Sequence, residues 1–363
     1  MTGDELRRLD DAPALRELRA LLERVDLRAQ SLAARLGRDD ASVLLTQVAS
    51  YALHVGRKLV ESDDPALLWS ALLWFGRAID RAHAGRVLAA EDLALLERLA
   101  LVETQGSHLV CTVAVTEWEG LWCLSDRLFH FDGAAIRREV RPDAVMPIHY
   151  SSLALRAAVA RTSPPWGHRR LDLGCGAGFP LLATGEAERV GVDLNERAIA
   201  FARVNARLNG TSATWICDDC LTVRPEAPFD RVTFNLPSLP AYADAAPALG
   251  GVPDLCRRLF EERLAILLAP DGLFQVWMIF VLTRECRSPE ASLASALPHG
   301  WQIEVHAEPR SPFALAATAI AERSVPRDSL LLEHAGDGDR LCEYLERSGV
   351  VEIASATIDL RRR

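Results

Sequence analysis

The second half of the chain contains the run Leu171-Asp172-Leu173-Gly174-Cys175-Gly176-Ala177-Gly178. An apolar strand is expected to lead into this run, and small residues typical of a helix start follow it. The three glycines let the backbone turn sharply and let a ligand approach without a Cβ in the way. A second apolar stretch ends in Val192-Asp193-Leu194-Asn195, so Asp193 lies 19 residues after Gly174. A carboxylate at that spacing can accept both hydroxyls of a ribose, which predicts a nucleoside site.

Strands and helices alternate on both sides of this run. Strands are expected at residues 170–173, 190–193, 213–216, 231–234, 274–281, 301–306 and 352–360. Helices fit residues 196–208 and 253–268, and residues 343–350 form a helix followed by a turn. Alternation of this kind predicts an α/β fold with a Rossmann-like, doubly wound parallel sheet.

The first 100 residues have apolar residues at helical spacing, in residues 15–25, 42–59, 66–79 and 90–101. A period of two then follows, in Leu109, Cys111, Val113 and Val115. Helices before a small hairpin predict a mostly helical, winged-helix-like domain over residues 1–140, with the nucleoside-binding domain over 141–363. Winged modules often bind DNA, but acids surround this wing, which favours packing or covering a substrate; they are Glu103, Glu117, Glu119 and Asp126. Nucleic-acid binding remains the alternative.

Composition narrows the class of protein. The chain has 363 residues, 49% of them hydrophobic, and a net charge of −9, which does not favour a nucleic-acid backbone as partner. No long apolar run or secretory signal is visible, so a cytoplasmic protein without a membrane partner is expected. Lys58 is the single lysine among 41 basic residues, a bias typical of a GC-rich bacterial genome.

The eight cysteines are expected to be reduced thiols, because the sequence has no signal for export. Cys217 and Cys220 have the spacing of a zinc or redox pair, but a second pair at the usual spacing is missing. No metal site is predicted from the sequence.

Two cofactor classes fit the glycine run. NAD-binding folds prefer G-x-G-x-x-G. The run here is a G-x-G-x-G preceded by an acid, and it resembles motif I of class I S-adenosylmethionine-dependent methyltransferases. Phe229-Asp230-Arg231-Val232-Thr233-Phe234-Asn235 is similar to the fourth motif of that family, FDxVxxN. The resemblance implies S-adenosyl-L-methionine as cofactor, S-adenosyl-L-homocysteine as product, and a cofactor site at Asp172, Gly174, Cys175, Gly176, Gly178, Asp193, Leu194, Asp218, Asp219 and Asn235.

The stretch Asn235-Leu236-Pro237-Ser238 is similar to the N-P-P-[YF] motif of methyltransferases that modify planar nitrogens. These relatives include release-factor glutamine methyltransferases and RNA base methyltransferases. The whole chain also resembles actinobacterial proteins with a "methyltransferase small" domain behind a helical, winged domain. In the motif, the Asn side chain and the next carbonyl accept hydrogen bonds from the target nitrogen, and an aromatic ring stacks on the acceptor. Ser238 stands in place of that ring, so the resemblance leaves the aromatic wall to Tyr150, Tyr242 or Trp166.

Methyl transfer from a sulfonium is an in-line displacement with a neutral leaving group. The enzyme must align acceptor and methyl, and it needs a general base only where the acceptor loses a proton early. Asn235 and His149 are the predicted catalytic residues, with Asp219 and His168 as other candidates for the base. Asp172 is expected to orient the glycine loop or the cofactor amino group rather than to act as base.

The sequence therefore predicts a methyltransferase acting on a nitrogen or oxygen atom of a small molecule. That acceptor, with secondary metabolites as one candidate class, is expected to be held by Asn235, Leu236, Pro237, Ser238, Tyr150 and Tyr242. The alternatives are methylation of a protein glutamine or an RNA base, and a regulatory protein that binds S-adenosylmethionine without turnover. The oligomeric state is not predicted.

Overall fold

The computed structural model describes most of the chain. The described residues are 6, 9, 12–46, 51–132, 135–138, 141, 143–162, 168–236, 255, 257–294, 297, 300–325 and 338–362. In the described part, no helix combines the length and the apolarity needed to cross a bilayer.

The described part of the chain contains α-helices and, marked π, short π-helices. They are α1 Ala12–Arg24, α2 Ala29–Arg35, α3 Val43–Thr46, α4 Ala52–Gly56 (π), α5 Arg57–Leu59, α6 Pro65–Trp69, α7 Ser70–Trp74 (π), α8 Arg81–Val87, α9 Ala90–Arg98, α10 Tyr150–Arg161, α11 Phe179–Leu182, α12 Glu196–Leu208, α13 Leu259–Arg263 (π), α14 Leu264–Leu267, α15 Pro289–Ala294, α16 Ala317–Ala321 and α17 Gly338–Arg347.

The strands divide into small hairpins and one large sheet. They are β1 Ile79–Asp80, β2 Val102–Gln105, β3 His108–Cys111, β4 Ala114–Trp118, β5 Leu121–Ser125, β6 Phe129–Asp132, β7 Ala135–Arg138, β8 Arg169–Leu173, β9 Glu188–Asp193, β10 Thr214–Cys217, β11 Phe229–Asn235, β12 Leu268–Thr283, β13 Trp301–Ala307 and β14 Val350–Arg362.

The chain separates into two compact units. The first comprises residues 1–149, 175–185 and 195–217, and the second comprises residues 150–174, 186–194 and 218–363. Each unit is built from distant parts of the sequence. The predicted domain boundary between residues 140 and 141 stays a prediction.

Helices and three hairpins make up most of the first unit. Asp64 and Asp80 cap α6 and α8 with their carboxylates, which accept backbone N–H groups of the first turn. The order β1-β3-β2 forms a three-stranded antiparallel sheet, and β4 pairs with β5. The predicted alternating stretch from Leu109 to Val115 is therefore two strands rather than one. Within the predicted helix over 42–59 the structure describes α3, α4 and α5, and residues 47–50 lie outside the described part.

Helix α12 holds the β4–β5 hairpin through two asparagines one turn apart. Asn205 accepts from the Leu124 N–H (2.8 Å) and donates to the Leu124 carbonyl (2.9 Å). Asn209 accepts from the Trp122 N–H (2.9 Å) and donates to the Trp122 carbonyl (2.7 Å). The two amide side chains thus satisfy backbone groups of β5 that a neighbouring strand would otherwise bond.

A buried ion pair also joins α12 to the residue that follows the β4–β5 hairpin. Arg197 of α12 pairs through two nitrogens with the carboxylate of Asp126, and both side chains are buried. Asp126 also accepts from the Val145 N–H (2.9 Å). Because Asp126 and Glu117 serve internal contacts, these acids of the predicted wing do not form a ligand surface; Glu117 accepts from the Ala29 N–H at the start of α2 (2.7 Å).

Six strands of a seven-stranded sheet lie in the second unit, in the order β9-β8-β11-β12-β14-β13. The first four are parallel, and β14 and β13 are antiparallel to their neighbours. The predicted α/β, Rossmann-like fold is confirmed. Among these six strands the prediction of a parallel sheet is wrong for β14: because β14 is antiparallel to both β12 and β13, β13 runs in the same direction as the first four strands. β14 is inserted between β12 and β13 and pairs with both of these strands in the opposite direction.

A row of three arginines crosses this sheet. Arg189, Arg170 and Arg231 are directly opposite one another on β9, β8 and β11. Arg170 and Arg231 are 0% and 1% exposed, so their charges need partners inside the protein. Glu186 lies 4.0 Å from Arg170 and 3.6 Å from Arg231. Arg170 also donates to Thr233, and Arg231 donates to carbonyls at the end of α10.

Candidate functional site

The carboxyl edge of the sheet brings together the predicted site residues of the second unit. Leu173 is level with Val192 on β9 and with Phe234 on β11. The next residues along the three strands, Asp193, Gly174 and Asn235, therefore reach the same edge. Ligands of open α/β sheets bind beyond the carboxyl ends of the strands.

Gly174 begins the loop with a left-handed backbone, at φ +56°. A Cβ there would lie 2.8 Å from the ring of Phe234, so only glycine fits between the loop and β11. This close packing holds the start of the glycine loop against the strand that carries Asn235.

The rest of the glycine loop belongs to the first unit. Gly176 has φ +53°, and a Cβ added to it would meet nothing within 4 Å. Gly178 has φ +87°, and its Cβ would lie 2.7 Å from the Trp215 indole. Gly178 is thus required by packing, whereas the space beside Gly176 suits the approach of a ligand. Asn205 fixes the loop between them by donating to the Ala177 carbonyl (2.9 Å).

Asp172 lies within the sheet. Its carboxylate accepts a short hydrogen bond from Thr233, and its exposure is 1%. Burial raises the pKa of Asp172 to about 6, against the opposing effect of the neighbouring Arg170. These contacts tie β8 to β11 directly before Gly174, which suits the predicted orienting role.

Asp218 and Asp219 follow β10 in a tight turn. Asp218 donates its backbone N–H to the Asp193 carbonyl (3.1 Å). Its carboxylate accepts from Asp219 N (2.8 Å) and Thr222 Oγ1 (3.0 Å), and Asp219 accepts from Leu221 N (2.8 Å). The two acids order the turn and bring it beside Asp193, so both predicted groups of cofactor acids lie together.

Asn235 ends β11 with its side chain anchored. Its Nδ2 donates to Ser151 Oγ at 2.7 Å, and Ser151, in the first turn of α10, is 1% exposed. Leu236 is buried and donates its N–H to the Trp277 carbonyl (3.0 Å). With the donor end of the amide held by Ser151, the carbonyl end of Asn235 points away from it.

Tyr150 takes part in a polar cluster on α10. Glu308 accepts hydrogen bonds from Tyr150 and from Trp277 Nε1 (2.8 Å). Burial, followed by the charge of Glu308, raises the pKa of Tyr150 to about 12, and burial raises the pKa of Glu308. The Tyr150 ring packs against the core around Trp277 and Phe313, so its hydroxyl is the part that this cluster orients.

The two candidate histidine bases have different surroundings. Burial lowers the pKa of His149 to about 4, so its imidazole is neutral at pH 7 and a weaker base than free histidine. His168 is exposed, and its backbone N–H donates to Asp230 (2.8 Å). The catalytic role of His149 stays a prediction.

Several predicted residues lie outside the described part of the chain, namely Pro237, Ser238, Tyr242 and Trp166. Cys217 is exposed and Cys220 is half-buried, and neither is part of a disulfide in the described part of the chain. Leu194, next to Asp193, is 75% exposed, which is unusual for a leucine. An apolar side chain at that point suits one face of an adenine.

Three residues of this region were not predicted as site residues. Ser151, Glu308 and Asn205 hold, respectively, Asn235, Tyr150 and the glycine loop. Ser151 is next to the predicted Tyr150, so its position in sequence is a usable signal. No motif marks Glu308 or Asn205, because each acts through contacts between distant segments.

The residues at the end of β9 fit a ribonucleoside. Asp193 is a half-buried carboxylate at the strand end. Leu194 adds an exposed apolar surface directly after it. These are the groups that a ribose and an adenine need.

Comparison with known proteins matches part of the chain to a methyltransferase domain. Residues 171–252 match the model of a family described as "Methyltransferase domain". A ribosomal protein L11 methyltransferase of Ralstonia pickettii (strain 12J) is 33% identical over 135 residues, which are 36% of this chain and 38% of the relative. The chain thus spans about two fifths of the length of that relative. A predicted protein N5-glutamine methyltransferase of Methanocaldococcus jannaschii is 26% identical over 187 residues, 49% of this chain and 91% of the relative.

Among solved structures, a methyltransferase from Geobacter sulfurreducens in complex with S-adenosyl-L-homocysteine covers 59% of this chain and 90% of its own, at 19% identity and a TM-score of 0.35. The family match and the two relatives support the prediction of a domain that uses S-adenosylmethionine. The branch of the family and the winged character of the N-terminal region stay predictions.

Proposed function

Starting from the methyltransferase domain at residues 171–252, we propose that this protein is an S-adenosylmethionine-dependent methyltransferase that acts on a nitrogen or oxygen atom of a small molecule held at Asn235. The observation that carries the proposal is the alignment of Asp193, Gly174 and Asn235 at one edge of the sheet, with the Asn235 amide fixed by Ser151.

Each residue has a defined task in this proposal. S-adenosylmethionine supplies, when bound, an activated methyl group on sulfur. Asp193 accepts the ribose hydroxyls, and the loop at Gly176 admits the nucleoside. Asn235 Oδ1 accepts an N–H or O–H of the acceptor and thereby aims its lone pair. Ser151 holds the amide of Asn235 in that orientation, because a group that is already oriented loses little entropy on binding.

The cofactor half of the proposal is tested by calorimetry. S-adenosylmethionine and S-adenosylhomocysteine should bind, and NAD should not. Asp193→Ala should weaken binding about 10- to 100-fold, since it removes hydrogen bonds to a charged group worth about 1.5–3 kcal/mol. Asn235→Ala should bind normally and lose about 100-fold in turnover. Binding of NAD alone, or unchanged binding in the Asp193 variant, would contradict the site.

The second part of the proposal concerns the size and chemistry of the methyl acceptor. Leu236 replaces the first proline of the nitrogen-acceptor motif, and its buried side chain presents no polar group to an acceptor. Cell extract incubated with methyl-labelled S-adenosylmethionine should give label in the small-molecule fraction, and Asn235→Ala is the matched blank. Label confined to protein or RNA would reject the small acceptor.

A second candidate is methylation of a protein glutamine. The relative from Methanocaldococcus jannaschii, 91% of which is matched, favours it. Exposed acids on the hairpins, Glu103 and Glu119, suit a protein better than an RNA acceptor. Mass spectrometry of digested labelled protein should then find methylglutamine. Cofactor binding without any transfer would point to the regulatory alternative.

A further inference from the structure

A histidine and two carboxylates converge at the edge of the large sheet, far along the chain from the glycine loop. Glu304 and His306 are on one face of the edge strand β13. Asp359 lies directly opposite Glu304 on β14, and Thr357 lies opposite His306. Since side chains two residues apart share a face, all three donor groups lie on the same side of the sheet.

The three donor atoms are close but do not bond one another. His306 Nε2 lies 3.7 Å from Glu304 Oε1 and 3.6 Å from Asp359 Oδ2, beyond hydrogen-bond distance. All three donor atoms lie within 4.8 Å of one another. The Nε2 atom is itself shielded from solvent, and it has no hydrogen-bond partner. A neutral imidazole whose shielded ring nitrogen lies between two carboxylates without a hydrogen bond to either needs a further partner.

The charges at this position also require a partner. Like charges directly opposite on neighbouring strands destabilise a sheet, and Glu304 and Asp359 are such a pair. Asp359 is 4% exposed, so water compensates little of its charge. Gln275 Nε2 donates to Asp359 Oδ1 (2.9 Å), which fixes the carboxylate with Oδ2 toward His306. Two arginines lie near this position: Arg161 donates to Thr357 (3.1 Å), and the charge of Arg231 acts on Asp359, while neither reaches His306 Nε2 with a hydrogen bond.

We propose that Glu304, His306 and Asp359 bind a divalent metal ion, with Zn²⁺ as the best match. Tetrahedral zinc with bonds of about 2.0–2.2 Å places its ligand atoms about 3.3–3.6 Å apart. The separations of 3.7 and 3.6 Å from His306 Nε2 lie close to the upper end of this range. Two carboxylates and a neutral imidazole balance the charge of the ion, and water completes the fourth position. Gln275 is the residue that orients Asp359 as a ligand.

The expected effect of the ion is to fix β13 to β14. The proposal is independent of methyl transfer, because none of its residues belongs to the cofactor or acceptor site. In the sequence, the proposed ligands appear as Glu-x-His on one strand and a single Asp far along the chain. Searches for helical or paired-cysteine metal motifs do not recover this pattern.

The test uses the full chain, stripped with a chelator and titrated with ZnCl₂ by calorimetry and elemental analysis. One Zn²⁺ per chain should bind, and saturation should raise the thermal midpoint by several degrees. Glu304→Gln and His306→Gln should each weaken Zn²⁺ affinity at least 10-fold and abolish the rise. Glu304 is 63% exposed, so its variant should fold normally. His108→Gln, at an exposed histidine of the β2–β3 hairpin, is the matched control and should behave as the unmodified chain.

Cysteine binding must be separated from this site. A Cys217→Ser variant should retain the zinc, and Co²⁺ in place of Zn²⁺ should show visible absorption without a sulfur-to-metal charge-transfer band. The proposal is overturned if Zn²⁺ binding is absent in the unmodified chain, is equal in His306→Gln and His108→Gln, or disappears in Cys217→Ser. In the first case, His306 forms a simple ion pair with the two carboxylates.

Discussion

Asn205→Ala is the substitution that examines most directly how the first unit holds the glycine loop. Asn205 is 1% exposed, and its amide joins the Leu124 N–H, the Leu124 carbonyl and the Ala177 carbonyl. Alanine supplies none of these hydrogen bonds and is too small to fill the space with another polar group.

The size of the effect follows from the groups left unbonded. Leu124 is 0% exposed and Ala177 is 6% exposed, so water cannot readily replace the lost amide. A buried unsatisfied polar group costs about 1–3 kcal/mol, and at least two such groups remain. We therefore expect the free energy of unfolding of the first unit to fall by about 3–5 kcal/mol.

Asn209→Ala is the matched control. It removes the equivalent pair of bonds to Trp122 one turn along α12, but Asn209 is partly accessible to water. We expect a loss of about 1 kcal/mol and unchanged cofactor affinity, because Asn209 does not touch the glycine loop. Asn205→Ala should in addition weaken S-adenosylmethionine binding about 3- to 10-fold.

Two measurements check this prediction. Urea unfolding gives the free-energy changes, and hydrogen exchange reports whether the Leu124 amide loses its protection. The reasoning is refuted if Asn205→Ala lies within 1 kcal/mol of the unmodified chain and the Leu124 amide stays protected.

Three further predictions follow from the site. Gly176→Ala should lower the free energy of unfolding by about 1–2 kcal/mol, because its backbone is left-handed, and it should weaken cofactor binding. Gly178→Ala should lower the free energy of unfolding further, because its Cβ would lie 2.7 Å from an indole. Denaturation and calorimetry on both variants check these expectations. Burial lowers the pKa of His149 to about 4, below that of the unfolded chain, so the contribution of His149 to the free energy of unfolding should fall by about 3 kcal/mol as the pH drops from 6.5 to 4. The raised pKa of Asp172 acts in the opposite direction over the same range, so the effect is measured as the difference between the unmodified chain and His149→Asn in urea titrations. Ser151→Ala should lower kcat about 10-fold with unchanged S-adenosylmethionine affinity, and an unchanged kcat would remove Ser151 from the positioning role.

The sequence pattern predicted the elements that follow local rules. Helix α12 begins and ends where its periodicity places it, from Glu196 to Leu208. Sterics and spacing predicted the sharp turns of the glycine loop and the position of Asp193 at the end of a strand, and the structure has both, while their roles toward a cofactor stay predictions. The alternation of strands and helices predicted the strand over 231–234, which lies within β11.

The remaining features depend on contacts between distant segments. The position of Ser151 beside the predicted Tyr150 places it near the site, but the sequence does not indicate that it bonds Asn235, 84 residues away. The antiparallel direction of β14 depends on how the chain returns after α17, and alternation of elements does not encode it. Buried arginines on β8 and β11 also contradict the usual rule that strands of a parallel sheet are apolar, since their partners come from loops and α10.

The row formed by Arg189, Arg170 and Arg231 restricts how β9, β8 and β11 can pair. A slip of one residue would turn a guanidinium to the opposite face of the sheet, away from the carboxylate of Glu186. Such a misaligned strand would leave a charge in the interior without a counterion. The row therefore penalises out-of-register assembly, and it does so at the three strands whose ends must line up for Asp193, Gly174 and Asn235 to meet.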